Sequence, residues 1–379
     1  MPVTHTATTQ NRPELQKALQ ELVESGWAGV QLRVNDDRGE WVGSAGASEL
    51  GQDTRPPTDG HFRIGSNAKT FAATLVLQLV ADDLLGLDSP VDDHLPEFGL
   101  DRRITVRMLL QHTSGLFSHT GEYYDDGTIV PGIPWQGQEW VDNLFRTYRP
   151  EELVRLALSK PARFEPGTDW SYSNTNYVLA RLLVEKASGR PFAEEMRRRI
   201  LSPLGLSGTF VPDASPEIPE PHAHACYTYE TDGEWRTVDV TRMNASWISA
   251  AGDMISTTQD LHTFFSALMS GKLLPAPLLA EMRSPHPKLN YGLGLFVQET
   301  EHGDTIYTHN GGFWGWAALM YGSPDGRTTL TASLTTGDAR LDHAQTAELF
   351  GTAQKRLVDE VFRGGRTAAA DHEAAPSGV

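Results

Sequence analysis

Ser66 and Lys69 stand three residues apart in Gly65-Ser66-Asn67-Ala68-Lys69. A serine hydroxyl is a poor nucleophile at neutral pH and needs a base to take its proton. On a helix, a lysine three residues on lies on the same face as the serine. If that helix is buried, desolvation lowers the lysine pKa and frees the amine to act as the base. A serine at the helix N-terminus also lies near backbone N–H groups that favour a developing oxyanion. The short motif alone carries little weight, because a Ser-x-x-Lys match is expected about once by chance in a chain of this length. The plainer alternative is an N-cap serine followed by a surface lysine. The adjoining stretch of chain argues against that alternative: from Phe71 to Ala81 the pattern is apolar on most faces, with Gln78 the one strongly polar residue. Such a helix is buried, and a lysine in its first turn needs a reason to be there.

The elements that must position this pair can be read coarsely. Leu15, Leu19, Leu22 and Val23 mark an amphipathic helix, and Val30–Val34 and Trp41–Gly43 alternate like strands around Asp36-Asp37-Arg38-Gly39. Phe62–Gly65 is strand-like. Helical patterns then run over Val106–His112, Pro150–Leu158, Tyr177–Ala187 and Leu261–Leu268, separated by long Gly- and Pro-rich loops. Strand texture returns at Leu293–Gln298, Thr305–His309, Trp316–Tyr321 and Thr328–Ser333, and a helix over Asp342–Phe362 closes the chain. The architecture this predicts is of the α+β class. It is an α/β sandwich on an antiparallel sheet drawn from residues 12–65 and 290–363, with an all-helical inserted domain over 66–289 and flexible tails at 1–11 and 364–379. Ser66 would sit at the seam between the two parts, where clefts form.

Bulk properties exclude some functions. The chain has 379 residues and a formal net charge of −17, so a phosphate-binding face for nucleic acid or an anionic membrane surface is not expected. The longest apolar run, Phe71–Leu85, contains Gln78, Asp82 and Asp83 and is too short to span a bilayer. The N-terminus has neither a basic nor an apolar leader region, so the chain as written reads as cytoplasmic, or as periplasmic or secreted if a leader was trimmed. The lone Cys226 excludes an internal disulfide. With His222 and His224 it lies in a loop-like stretch that lacks a fourth ligand, and neither metal nor cofactor is expected.

Two further stretches complete a set. Trp170-Ser171-Tyr172-Ser173-Asn174 lies on a loop ahead of a helix, able to aim a phenol and an amide into a cleft. His309-Asn310-Gly311-Gly312 ends a strand, where glycines allow close backbone approach and offer N–H donors. The order S-x-x-K, Y-x-N, H-x-G resembles the serine β-lactamase and penicillin-binding-protein superfamily. The resembling branch holds class C β-lactamases, actinomycete-type D-alanyl-D-alanine carboxypeptidases, D-amino-acid peptidases and amidases, and related esterases. Leu110-Gln111-His112-Thr113-Ser114-Gly115-Leu116, Ser249-Ala250-Ala251-Gly252 and Tyr291-Gly292-Leu293-Gly294-Leu295 are further marks of that branch, and the likeness runs over about residues 15–362.

The resemblance implies the serine β-lactamase/DD-peptidase-like fold and an acyl-enzyme on Ser66. Lys69 or Tyr172 would be the proton acceptor, Tyr172 the donor to the leaving group, and the N–H groups of Ser66 and Gly312 the oxyanion hole. Asn174 would bond the substrate amide. His309 stands where many relatives carry lysine and would titrate near neutrality, or would only order Tyr172. Carboxypeptidases of the branch hold a free carboxylate with an arginine; here Phe296 takes that position, and Asn310 and Gly312 take the positions of two hydroxyl residues. Arg242 and Arg283 are the cations that could reach in from elsewhere. Phe296, Asn310, Gly311, Gly312, Trp247 and Trp314 are thus candidate substrate contacts, although Phe313, Trp314 and Trp316 could equally pack on the sheet. The expected activity is that of a serine hydrolase on peptide, amide or ester bonds of D-amino-acid-containing substrates, with β-lactams as covalent inhibitors. The alternatives are a penicillin-binding-protein-type thioesterase or peptide cyclase that passes the acyl group to an amine, and a catalytically silent sensor.

Overall fold

Alternating apolar residues near both ends of the chain build one sheet. The computed structural model describes residues 11–124, 126–338 and 343–363. Strands β1 (Trp27–Asp36) and β2 (Gly39–Gly46) form the expected hairpin. The far end supplies β3 (Phe296–Glu299), β4 (Thr305–Thr308), β5 (Gly311–Phe313), β6 (Trp316–Gly322) and β7 (Thr329–Thr336). The order is β2-β1-β7-β6-β4-β3, with β5 paired to β6, and the pairings are antiparallel.

The helices that matter here are α1 (Pro13–Glu24), α2 (Ala68–Ala81), α3 (Asn174–Ser188), α4 (Thr258–Met269) and α5 (His343–Phe362). The β1–β7 register sets Val30, Leu32 and Val34 opposite Leu334, Ala332 and Leu330. Period two turns all six to one face, where Leu15, Leu19 and Leu22 of α1 and Leu357 and Val361 of α5 cover them. The other face carries Arg33, Thr329, Thr331 and Ser333 and meets α4: Thr331 Oγ1 donates to Thr258 O (2.9 Å), and His262 Nδ1 lies 2.6 Å from Thr329 Oγ1. Beyond α4, a second and larger core surrounds α2 and α3, with Phe71 of α2 stacked on Phe264 of α4. An α2 that is apolar all round can be buried all round, and every residue from Ala68 to Leu77 is.

Several elements depart from expectation. Phe62–Arg63 pairs with Ile255–Ser256 and not with the large sheet, and Gly65–Asn67 is one 3-10 turn leading into α2. No strand runs over Leu293–Leu295, because Gly292 N–H closes a turn onto Leu295 O (2.8 Å). The middle segment is not helical throughout: Cys226–Thr231 and Glu234–Asp239 form a hairpin. Except for Asn11, the expected flexible tails lie outside the described residues. Among the described residues no helix is long and apolar enough to cross a membrane, and no cluster of three or more His, Cys, Asp or Glu could hold a metal ion.

Candidate active site

The turn at Gly65–Asn67 is pressed against β5, backbone to backbone. A Cβ on Gly311 would lie 1.9 Å from Ile64 O and 2.9 Å from Ser66 N; one on Gly65, at φ +50°, would lie 2.5 Å from Gly312 N. Only glycine at both positions lets the strand edge and the Ser66 turn meet, which sets the N–H groups of Ser66 and Gly312 beside each other. Gly311→Ala is therefore expected to push the strand off the turn. It should lower thermal stability by about 1–3 kcal/mol and slow labelling of Ser66 by an acylating probe, as read by calorimetry and by stopped-flow labelling.

Ser66 Oγ sits between two groups. Tyr172 donates its hydroxyl hydrogen to it (2.8 Å), and Lys69 Nζ lies 3.0 Å away. Lys69 is fully buried, and desolvation holds its pKa well below the usual 10.5. A neutral amine has two N–H donors and one lone pair. Asn174 Oδ1 (2.8 Å) and Ala251 O (2.7 Å) take the two donors, so the lone pair falls to Ser66 Oγ. In that neutral form the hydrogen-bond chain runs from Tyr172 O–H to Ser66 Oγ–H to Lys69 Nζ; with the amine protonated, Lys69 donates to Ser66 Oγ instead. Burial raises the Tyr172 pKa, against a smaller opposite effect of its bond to Ser66. Of the two candidate proton acceptors, Tyr172 is therefore the less suited, because burial disfavours its phenolate.

The other predicted residues fall into two groups. Asn174, at the N-terminus of α3, joins the site, but its amide is largely committed: Oδ1 accepts from Lys69 and Nδ2 donates to Thr120 Oγ1 (3.1 Å), which leaves one N–H for a ligand. Gly312 and Trp247 line the cleft beside Ser66. His309 is buried, its Nδ1 2.8 Å from Asn310 O and its Nε2 3.2 Å from Tyr291 OH. Desolvation, and to a lesser extent Lys69, lower its pKa to about 3. It therefore does not titrate near neutrality, and its nitrogens are occupied by Asn310 and Tyr291, not by Tyr172. Asn310 turns its amide to Tyr321 OH (2.8 Å), toward the core on the sheet's far side, so it is not a cleft contact. Phe296 packs edge-on against Tyr291 and near His309, behind the site. Trp314 stacks on Trp135, and it is Trp135 that lines the cleft. Trp316 belongs to the core, and the Phe313 side chain lies outside those described. Arg242 pairs with Glu217 at the surface, and Arg283 donates to the carbonyls of Met269 and Pro324.

The cleft has a volume of about 380 Å³. Sequence reasoning missed its one carboxylate among the described lining residues, Glu122. Glu122 is 4% exposed; its Oε1 accepts from Ser118 N–H (2.8 Å), and its Oε2 pairs with Arg163 (3.1 Å). Burial raises its pKa, and Ser118 and Arg163 oppose the rise. No lysine or arginine lines the cleft among the described residues. Glu122 and Trp135 sit on a connection without apolar periodicity, so no pattern pointed to them.

Residues 15–351 match the Beta-lactamase family. The chain belongs to that family. Among solved structures, this Beta-lactamase-family chain is similar to a D-stereospecific amidohydrolase from Streptomyces sp., at 34% identity and TM-score 0.79, covering 93% of this chain and 99% of that one. It is also similar to the D-amino acid amidase of Ochrobactrum anthropi SV3 complexed with L-phenylalanine amide, at 26% identity and TM-score 0.75, covering 94% and 99%. Penicillin-binding protein 4* of Bacillus subtilis (strain 168) is 28% identical over 302 residues, or 76% of this chain. The chain spans 63% of the length of that relative.

Proposed function

We propose that the protein is a serine hydrolase that forms an acyl-enzyme on Ser66 and acts on amides and esters of D-amino acids. The observation that carries this reading is the convergence of the Tyr172 hydroxyl and the desolvated Lys69 amine on Ser66 Oγ. Ser66 passes its proton to Lys69 Nζ as Oγ attacks the substrate carbonyl. The N–H groups of Ser66 and Gly312 hold the oxyanion. The C–N or C–O bond then breaks. The leaving atom takes the Tyr172 proton, which leaves a phenolate beside the Lys69 ammonium. Water then attacks the acyl ester and gives a proton to Tyr172, and Lys69 returns its proton to Ser66 Oγ as the acyl–oxygen bond breaks. The D-configuration is supported by the two D-specific relatives.

Glu122 supports a substrate with a free ammonium group. A carboxylate has about four lone-pair sites; Ser118, Arg163 and the Ser171 side chain occupy three of those of Glu122, which leaves one for a ligand. The same carboxylate, with no cation lining the cleft, disfavours a free carboxylate on the leaving side. The test compares three substrates: a D-amino-acid amide, its N-acetyl derivative, and diacetyl-Lys-D-Ala-D-Ala. The free amide is expected to be turned over best and D-Ala release to be at least about 100-fold slower. Glu122→Gln should raise KM for the free amide about tenfold or more, the worth of a charge-assisted bond, with little change for the N-acetyl compound. Efficient D-Ala release would sink this assignment.

A further inference from the structure

His112 occupies an unusual position for its residue type. It follows the helix Val106–Gln111, is fully buried, and holds φ +61°, in the left-handed region that few non-glycine residues adopt. Its carbonyl accepts from Ser171 N–H (3.1 Å). Its Nδ1 lies 3.2 Å from Ser173 N–H and 3.2 Å from Asn176 Nδ2, both donors, so Nδ1 presents its lone pair and the ring proton sits on Nε2. The residue between Ser171 and Ser173 is Tyr172, whose ring lies 4.3 Å from the His112 ring, centroid to centroid. One residue thus ties the backbone on both flanks of Tyr172, through its carbonyl to Ser171 and its ring Nδ1 to Ser173, and its ring packs on the phenol. Burial, with Lys69 and His309 adding to it, holds the His112 pKa well below 6.5, so Nδ1 remains an acceptor.

We propose that His112 is a positioning residue for Tyr172: the Nδ1 acceptor and the bracketing carbonyl fix the phenol in line with Ser66 Oγ so that it can protonate the leaving group. The inference rests on the acyl-enzyme reading of Ser66. It predicts a dependence on the leaving group that a merely structural residue would not show. An amide must receive a proton as it leaves, whereas a p-nitrophenyl ester leaves without one.

The experiment compares His112→Phe, His112→Asn and His112→Gly on a D-amino-acid amide and on the p-nitrophenyl ester of the same acid. Asn tolerates the left-handed backbone and offers an oxygen where Nδ1 was. Phe keeps the ring and lacks the acceptor. Gly keeps the backbone and lacks both, and it serves if the Phe variant does not fold. For Phe and Gly, kcat on the amide is expected to fall about 100-fold, within the range of proton-transfer catalysis, with KM little changed and the ester rate within about fivefold. Asn should recover at least about tenfold of the amide rate, and His112→Phe should cost nothing further in a Tyr172→Phe background. Equal losses on amide and ester, a full amide rate without the acceptor, or no recovery with Asn would each overturn the inference. Absence of Ser66 labelling in the unaltered protein would instead overturn the acyl-enzyme reading itself.

Discussion

Ser66→Ala is expected to abolish covalent labelling by a fluorescent penicillin or a fluorophosphonate and to lower kcat/KM on a D-amino-acid amide by about 10⁴-fold or more. The size follows from the geometry. Ser66 Oγ is the atom on which the Tyr172 hydroxyl and the Lys69 amine converge, and it borders the cleft. Without it the acyl group has nothing to bond to, and only the oxyanion donors and substrate binding remain to favour attack by water. The β5 edge and α2 do not depend on the serine hydroxyl, so the variant should fold and still bind substrate. Intact-protein mass spectrometry would read the adduct directly. A label on another residue, or an unchanged rate in the alanine variant, would sink the acyl-enzyme.

Lys69→Met should be nearly as damaging, with a loss of about 10³-fold in the acylation rate. Lys69→Arg should not rescue it, because a guanidinium does not release its proton in this pH range. The pH dependence carries a sign. The amine acts when neutral, so the acylation rate should fall as pH drops through the lowered pKa of Lys69 and stay flat above it. Stability carries a sign too. An unfolded chain protonates Lys69 up to its ordinary pKa of 10.5, whereas the folded chain does not once pH exceeds the lowered value. The unfolded state therefore binds more protons, and stability rises with pH across that interval.

Other buried groups act elsewhere on the scale. Asp253, raised to about 7 from 3.8 chiefly by burial, lowers stability as pH rises between those values. His309, depressed to about 3 from 6.5, adds stability over its own interval. Cys226, raised to about 11 from 9 chiefly by burial, acts above pH 9. Lys69 adds a rise of its own between its lowered pKa and 10.5, so unfolding free energy should climb more steeply with pH over that interval in the wild type than in Lys69→Met. Equal slopes in urea titrations of the two proteins would show that Lys69 is charged in the folded state.

Much of this was legible in the sequence, and for physical reasons. Pro150–Leu158 has the bounds observed, because a proline opens the helix and its apolar spacing is regular. The seven-stranded sheet could be anticipated from alternation at both ends. Ser66, Lys69, Tyr172 and Asn174 meet as the first two motifs suggested. What the residues could not reveal is what burial does to them. His309 titrates near neutrality in water, and only its tertiary surroundings show it to be neutral there; the same burial raises the Tyr172 pKa and disfavours its phenolate. Asn310 faces away from the cleft because the register passes out of β4 at that point, and a shift of one residue exchanges faces. Glu122 was missed because its connection holds only two-residue strands, Glu122–Tyr123 and Ile129–Val130.

The pairing of β1 with β7 has a consequence in time. Val30 lies opposite Leu334, about three hundred residues away along the chain, and closing so long a loop delays folding. During synthesis Ser66 and Lys69 leave the ribosome well before Gly311 and Gly312, which must press against their turn. A growing chain therefore carries the serine and the lysine before either the core that desolvates Lys69 or the N–H pair beside Ser66 is in place. On the acyl-enzyme reading, Ser66 gains its reactivity only once β5 meets its turn.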